Sequence, residues 1–320
     1  MQYSKFAVDE KAFCMWEWDL HERNLAFINN IDPAYFEYVA NTHRDAMKID
    51  EQRQHAALSL RTAYSHGLET FFALLFATIQ APDCVIGWLH KYDIGDLRSL
   101  IEKVNKWQPI HSKLKIKPIT WDVISNTVHE SLSLEDKAKE EQIKVRYARE
   151  WGRLAADLSD VKMGLEYNSI KHGFRVKSGG FRLAVGLAGE SGAAPEKMHL
   201  LGDSEFGSSF FIPEKIDTAN KLNFRAKRHS INWKPEKLFY DLFFISASIK
   251  NVIAYLNVLN GVDAANVQFC WLNEETYAYL RESRKPTPGM TSTGFDHIIT
   301  EEDIASFSKD QILSVYEIID

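Results

Sequence analysis

The chain has 320 residues, 45% of them hydrophobic, 26% charged and 12% aromatic, with a formal net charge of −6. This is the balance of a globular protein with room for one large domain or two ordinary ones. Three widely spaced cysteines (Cys14, Cys84, Cys270) exclude a disulfide framework and zinc-ligand spacing. No run approaches the roughly 18 apolar residues of a membrane span, and "MQYSKFAVDEKAF" lacks the apolar core of a signal peptide, so a reducing cytoplasm is expected.

In chain order, Asp32 followed by Pro33 predicts a helix to about Lys48, the one helix of an N-terminal segment over 1–49. Asp50 caps the next, which runs to Gln80. Leu60, Tyr64, Leu68, Phe71, Leu75 and Ile79 recur at helical spacing along it, and Pro82 breaks it. Asp83, Asp96 and Thr120 each open a shorter helix, and Ser133 to Asp136 reads as a capping box. Tyr147, Trp151, Leu154, Leu158, Val161 and Leu165 then step by four and three through a single long helix. That register continues onto Asn168 and His172, which places an amide and an imidazole on the buried face. Gly173 stands where a helix takes a left-handed C-terminal residue.

Beyond Gly173 the period shifts from helix to strand. "GFRVKSGGFRLAVGLA" predicts two short strands around Ser178-Gly179-Gly180, and "FGSSFFIPEKI" and "NFRAKRHSINW" read as further extended pieces. Pro235 opens a last long helix, in which Leu238, Leu242, Ile245, Ile249, Val252, Leu256 and Leu259 keep a four-three spacing until Gly261. The fold class is mainly α: a helical bundle over 50–261 with a β-rich insertion, about 174–233, between the last two long core helices. From 262 to 320 the chain is less regular, with a turn-rich linker and two short helices. Residues 165–237 carry 12 Lys and Arg against 8 Asp and Glu (+4), whereas 262–320 carry 4 against 11 (−7). The middle is basic and the tail acidic, so a phosphate backbone or an acidic partner suits the middle.

The chemistry-bearing stretch is "EYNSIKHGFR", Glu166 to Arg175. Asn168 and His172 share a face, while Lys171 and Arg175 bring positive charge to the helix end. In the β-rich part, Arg175 and Lys177 alternate onto one side of a strand, as do Arg225 and Lys227, with Arg228 on the opposite side. Phe174, Phe181, Phe224 and Trp233 are interleaved with them, a mixture that suits single-stranded nucleic acid. A Walker loop, a dinucleotide fingerprint and a nucleophile elbow are absent from the sequence, and no cofactor or metal is expected.

"YNSIKH" resembles the motif of HEPN-like domains, helical bundles widespread in prokaryotic defence and toxin systems. Their signature is an arginine, a polar residue, a few positions and a histidine. Asn168 matches the polar position and His172 the histidine, while Tyr167 stands where the arginine would be. "RTAYSH" matches a second time through Arg61 and His66, although five helical residues turn those side chains about 140° apart. His66 and Glu69, three apart, share a face and could support His172 from outside the motif. The resemblance implies metal-independent RNA cleavage, usually across a dimer. His172 would be central, Asn168 would orient it, and Lys171 or Arg175 would supply the charge. Three functions are therefore open: RNA binding or cleavage in defence or stress; a non-catalytic HEPN-like module for a protein or nucleotide, with Asn168 and His172 as a structural pair; and a scaffold docking through its acidic tail.

Overall fold

The structure, a computed structural model, describes residues 1–113, 118–187, 197–216, 223–285, 289–295, 299, 304–305 and 307–316. The fold is mainly α, and the chain forms two compact units. The first comprises Met1–Gly164 and Pro235–Lys285, and the second Leu165–Lys234 and the described residues from 289 onward.

The first unit begins with an antiparallel hairpin of β1 (Gln2–Val8) and β2 (Lys11–Glu17), followed by α1 (Leu20–Asn29) and α2 (Ala34–Ala46). The expectation of one helix over 1–49 missed the hairpin and α1. The turn is Asp9-Glu10, with Asp9 at φ 52°, and it lacks the glycine or asparagine that usually marks such a turn. Gln80 holds this turn: its Oε1 accepts from the Asp9 N–H at 3.0 Å and its Nε2 donates to the Asp9 carbonyl at 3.2 Å.

Helix α3 (Asp50–Gln80) is the spine of the unit. It is apolar around most of its surface, so it must be covered on several sides. Phe71, Phe72, Leu75 and Phe76 are fully buried along it. Helices α4 (Val85–Lys91), α5 (Ile94–Asn105) and α6 (Trp121–Val128) follow. The cap of α5 is Asp93, with Asp96 closing the box, and α7 (Lys137–Ser159) starts at Asp136 rather than Ser133. Asp136 wins because its carboxylate accepts from both the Ala138 and Lys139 N–H groups at 3.0 Å.

The four-three seam of α9 (Pro235–Leu259) lies as its spacing demands. Leu238, Leu242, Ile245, Ile249, Val252 and Leu256 are completely buried, and only Leu259 emerges. Among the described residues α9 is the one helix long and apolar enough to cross a membrane by composition, and 61% of its most apolar window is buried within the protein. The first unit continues past the boundary expected at 262, because Tyr277 and Leu280 of α10 (Glu274–Ser283) are core residues.

A buried amide–imidazole pair does exist, but it is His129 with Asn251. The Asn251 amide donates to His129 Nε2 at 3.0 Å, and His129 Nδ1 donates to the Ser125 carbonyl at 2.8 Å. Its ring lies among Tyr147, Trp151 and Phe269. Burial without a carboxylate partner pushes the His129 pKa down to about 4.

The second unit is built on an antiparallel sheet in the order β3 (Val176–Ser178), β6 (Gly207–Lys215), β7 (Phe224–Asn232), β8 (Ser292–Phe295). A separate pair joins β4 (Arg182–Val185) to β5 (His199–Asp203). The hairpin expected around Ser178-Gly179-Gly180 does not form, since β3 pairs with β6 and β4 with β5. The glycines permit close backbone approach instead. A Cβ on Gly180 would fall 2.2 Å from the Ser204 carbonyl oxygen. Of the two short helices expected in the tail, α11 (Lys309–Leu313) is observed, and most of 296–303 lies outside the described residues.

Candidate nucleic-acid interface

Helix α8 (Val161–Lys171) positions the "YNSIKH" stretch. It is not the continuation of α7. Asp160 takes an extended conformation (ψ 117°) and its carboxylate accepts from the Lys162 N–H at 2.7 Å, which ends one helix and starts another. The restart rotates the seam. Glu166 and Ser169 turn inward, whereas Asn168, Lys171, His172 and Arg175 are all exposed. The expected burial of Asn168 and His172 is therefore corrected, and with it their reading as a structural polar pair. Gly173 does take the left-handed conformation (φ 92°), and Phe174 follows at φ 49°. Lys171 Nζ lies 5.8 Å from the centre of the Tyr167 ring.

The second motif match does not assemble. Arg61 is buried in α3, while His66 is exposed with its ring edge-on to Phe36. Glu69 accepts from the Tyr92 hydroxyl at 3.4 Å. All three residues belong to the first unit.

Register on the β3–β6–β7–β8 sheet sorts the basic residues into two groups. On one face Phe210, Ile212 and Glu214 stand opposite His229, Lys227 and Arg225. Here Glu214 pairs with Arg225 (Nε to Oε2, 2.7 Å) and with Lys227 (Nζ to Oε1, 3.3 Å). The Arg225 and Lys227 hydrogen bonds hold the Glu214 carboxyl below its ordinary pKa. Glu166 is buried beneath the same face and accepts from the Ser208 hydroxyl and from Trp233 Nε1. Arg225 and Lys227, both expected to meet nucleic acid, are thus engaged within the protein.

The other face is open over much of its length. Phe211 stands opposite Arg228, Pro213 opposite Ala226, and Lys215 opposite Phe224. Lys177 of β3 stands opposite Ser209 on the same side. Phe211 is 56% exposed and Phe224 64% exposed, with Lys177, Lys215 and Arg228 also at the surface. Among the described residues of these strands no acidic side chain stands on this face, and none of the three cations pairs with a carboxylate. Phe211 and Phe224 lie four residues apart along the strand direction, about 13 Å, so each ring would receive its own base. At its other end the face is closed by Asn232, which bonds both the N–H and the carbonyl of Phe181. The sequence flagged Lys177, Arg228 and Phe224. It missed Lys215, and it missed Phe211 because in "FF" alternation alone does not say which ring faces out.

Ionisable groups also converge in the first unit, with a different outcome. Asp241, completely buried, lies 2.7 Å from the Arg153 guanidinium and 3.1 Å from Lys237 Nζ, and it accepts from Arg284 Nε at 2.9 Å. Arg284 also reaches Glu150, which accepts from the Tyr277 hydroxyl at 2.9 Å. Asp157 receives Lys237 at 2.7 Å and the Tyr64 hydroxyl at 2.5 Å. Arg149 also pairs with Glu150 at 3.3 Å, so four cations meet three carboxylates. Burial pushes the Asp241 carboxyl upward, but Lys237, Arg153 and Arg284 outweigh it and leave the pKa well below the usual carboxylate range. Burial and the neighbouring Asp157 push the Tyr64 hydroxyl in the opposite direction, far above a free tyrosine. Each charge here has its counterpart in the protein, so the cluster leaves little for a ligand. Comparison of the chain with protein-family models, with curated proteins and with solved structures returns no match.

Proposed function

We propose that this protein binds single-stranded RNA on the open face of the β3–β6–β7–β8 sheet. The supporting observation is the co-location of Lys177, Lys215 and Arg228 with exposed Phe211 and Phe224 on a face without acidic side chains among its described strand residues. Phenylalanine rings stack on any base, and each stack is worth about 1–3 kcal/mol. The cations meet the backbone phosphates, which makes binding salt-dependent. Shape favours single strands, because bases must be splayed to reach rings lying flat on a sheet. The choice of RNA, a prokaryotic defence or stress role and a cytoplasmic setting rest on the HEPN-like resemblance and on the free cysteines. The test is fluorescence anisotropy with a labelled single-stranded RNA. Saturable binding that duplex RNA competes for poorly, and that Arg228→Glu abolishes in a folded protein, supports the proposal. Equal binding by the wild type and by Arg228→Glu would sink it.

Cleavage is the second reading, favoured by the joint exposure of His172, Asn168, Lys171 and Arg175 in the same unit. An accessible imidazole beside cations suits acid–base attack at a phosphate. Incubation with total RNA in EDTA, beside His172→Ala, separates the two readings. Cleavage lost in the mutant while binding persists makes the protein a nuclease; binding without cleavage in either leaves it a binding module.

A further inference from the structure

We infer that the first unit also holds a binding site for a long-chain carboxylate, such as a fatty acid. A cavity of about 860 Å³ lies between the β1–β2 hairpin, the end of α3 and the chain around Ile110 and Ile119. That volume is typical of a small-molecule site, and the cavity opens to solvent along Lys5, Ala12 and Cys14. Its apolar walls include Ile79, Ile110 and Ile119, facing Ala7, Ala12 and Cys14 of the hairpin. A second chamber of about 300 Å³ shares Ile79 and Ile119 with the first and continues past Val123, Ile124, Val128 and Leu259. The apolar lining thus extends from one cavity to the walls of the next, which suits an alkyl chain better than a compact ring.

The polar groups of the first chamber select the head group. Gln80 is already committed, to the Asp9 backbone and to Trp88 Nε1 at 3.1 Å. Lys5 is exposed on β1, and among the described residues no carboxylate pairs with it. Its Nζ sits 5.4 Å from the centre of the Tyr3 ring. His111 Nδ1 accepts from the Lys113 N–H at 3.2 Å and lies 3.5 Å from a Glu10 carboxylate oxygen. That acid, Glu10, is also engaged by Lys103 at 2.6 Å and by the Ser112 hydroxyl at 2.9 Å, so His111 is shared with groups of the protein. Among the described residues, what is left to a ligand is the unpaired Lys5 cation, so an anionic head with an apolar tail is the complementary molecule.

Titration calorimetry of the full-length chain with decanoate and dodecanoate, below their micelle concentrations, tests this, with dodecanol and dodecyltrimethylammonium as head-group controls. Saturable binding of the carboxylates is expected, tightening about fourfold per added methylene. Ala12→Trp places a bulky ring in the first chamber and should abolish binding. Lys5→Gln, on an exposed strand position, should weaken the carboxylates at least fivefold without lowering the melting temperature. The inference is overturned by absence of saturable binding, by equal affinity for the alcohol or the ammonium compound, or by full binding in a folded Ala12→Trp protein. None of these outcomes bears on RNA binding, which is measured separately on the second unit.

Discussion

The two units handle positive charge in opposite ways. In the first, Arg153, Lys237 and Arg284 are partly buried and matched against Glu150, Asp157 and Asp241. In the second, Lys177, Lys215 and Arg228 are left at the surface among exposed rings. The same contrast recurs within the sheet, where Arg225 and Lys227 share Glu214 on one face while Arg228 stands on the other. A count of lysines and arginines cannot separate these cases. A cation whose partner lies in the same chain maintains structure, and one held apart from any carboxylate is available to a ligand.

The contrast makes graded predictions. The largest effect is expected from Asp241→Asn, which leaves Arg153, Lys237 and Arg284 short of a buried counter-charge. A loss of about 3–5 kcal/mol in a denaturant melt is expected, and a loss under about 1 kcal/mol would mean that the cluster is solvated like a surface. Next is acid. His129 titrates near 6.5 when unfolded but at about 4 when folded, so between those values the unfolded chain binds a proton that the folded one refuses. Stability is then fully present above pH 6.5 and falls by about 3 kcal/mol as pH drops to 4. His129→Gln should flatten that part of the profile, and an unchanged slope would assign the acid sensitivity to other groups.

Binding effects follow. Phe224→Ala or Phe211→Ala should each weaken single-stranded RNA by about 1–3 kcal/mol in anisotropy titrations. If neither does, the rings are not stacking on bases. The smallest effect sharpens the contrast most. Arg228→Gln or Lys177→Gln should lower the salt slope of binding by about 0.7 each. Arg225→Gln should leave that slope unchanged, because its charge is already met by Glu214. Equal slopes for Arg225→Gln and Arg228→Gln would erase the distinction between the two faces.

Legibility in the sequence tracked how local each determinant is. The α9 seam from Leu238 to Leu256 and the buried line Leu60, Tyr64, Leu68, Phe71, Leu75 were readable because helical period and burial coincide there. The break at Asp160 was not readable, because Leu158, Val161 and Leu165 keep stepping at helical spacing straight across it. One backbone dihedral moved Asn168 and His172 from the core to the surface. The fold does contain an amide–imidazole pair, but its members, His129 and Asn251, are 122 residues apart, beyond any spacing argument. On the sheet, alternation correctly set Arg228 on the opposite side from Arg225 and Lys227. It could not say which side would be closed, because that depends on Glu214 across the ladder and on Glu166 beneath it.

The interleaving of the two units imposes an order on synthesis. The first unit cannot close its core until α9 has been made, and α9 follows every strand of the sheet except β8. The sheet in turn lacks its outer strand until residues 292–295 have left the ribosome. A growing chain therefore exposes the uncovered faces of α3 from residue 80 until α9 is made, and the bare edge of β7 from residue 232 until β8 is made. Each is the kind of surface that chaperones cover and that neighbouring nascent chains can pair with. The yield of folded protein should consequently depend on how fast the stretch from α9 to β8 is translated, more than on any codon before it.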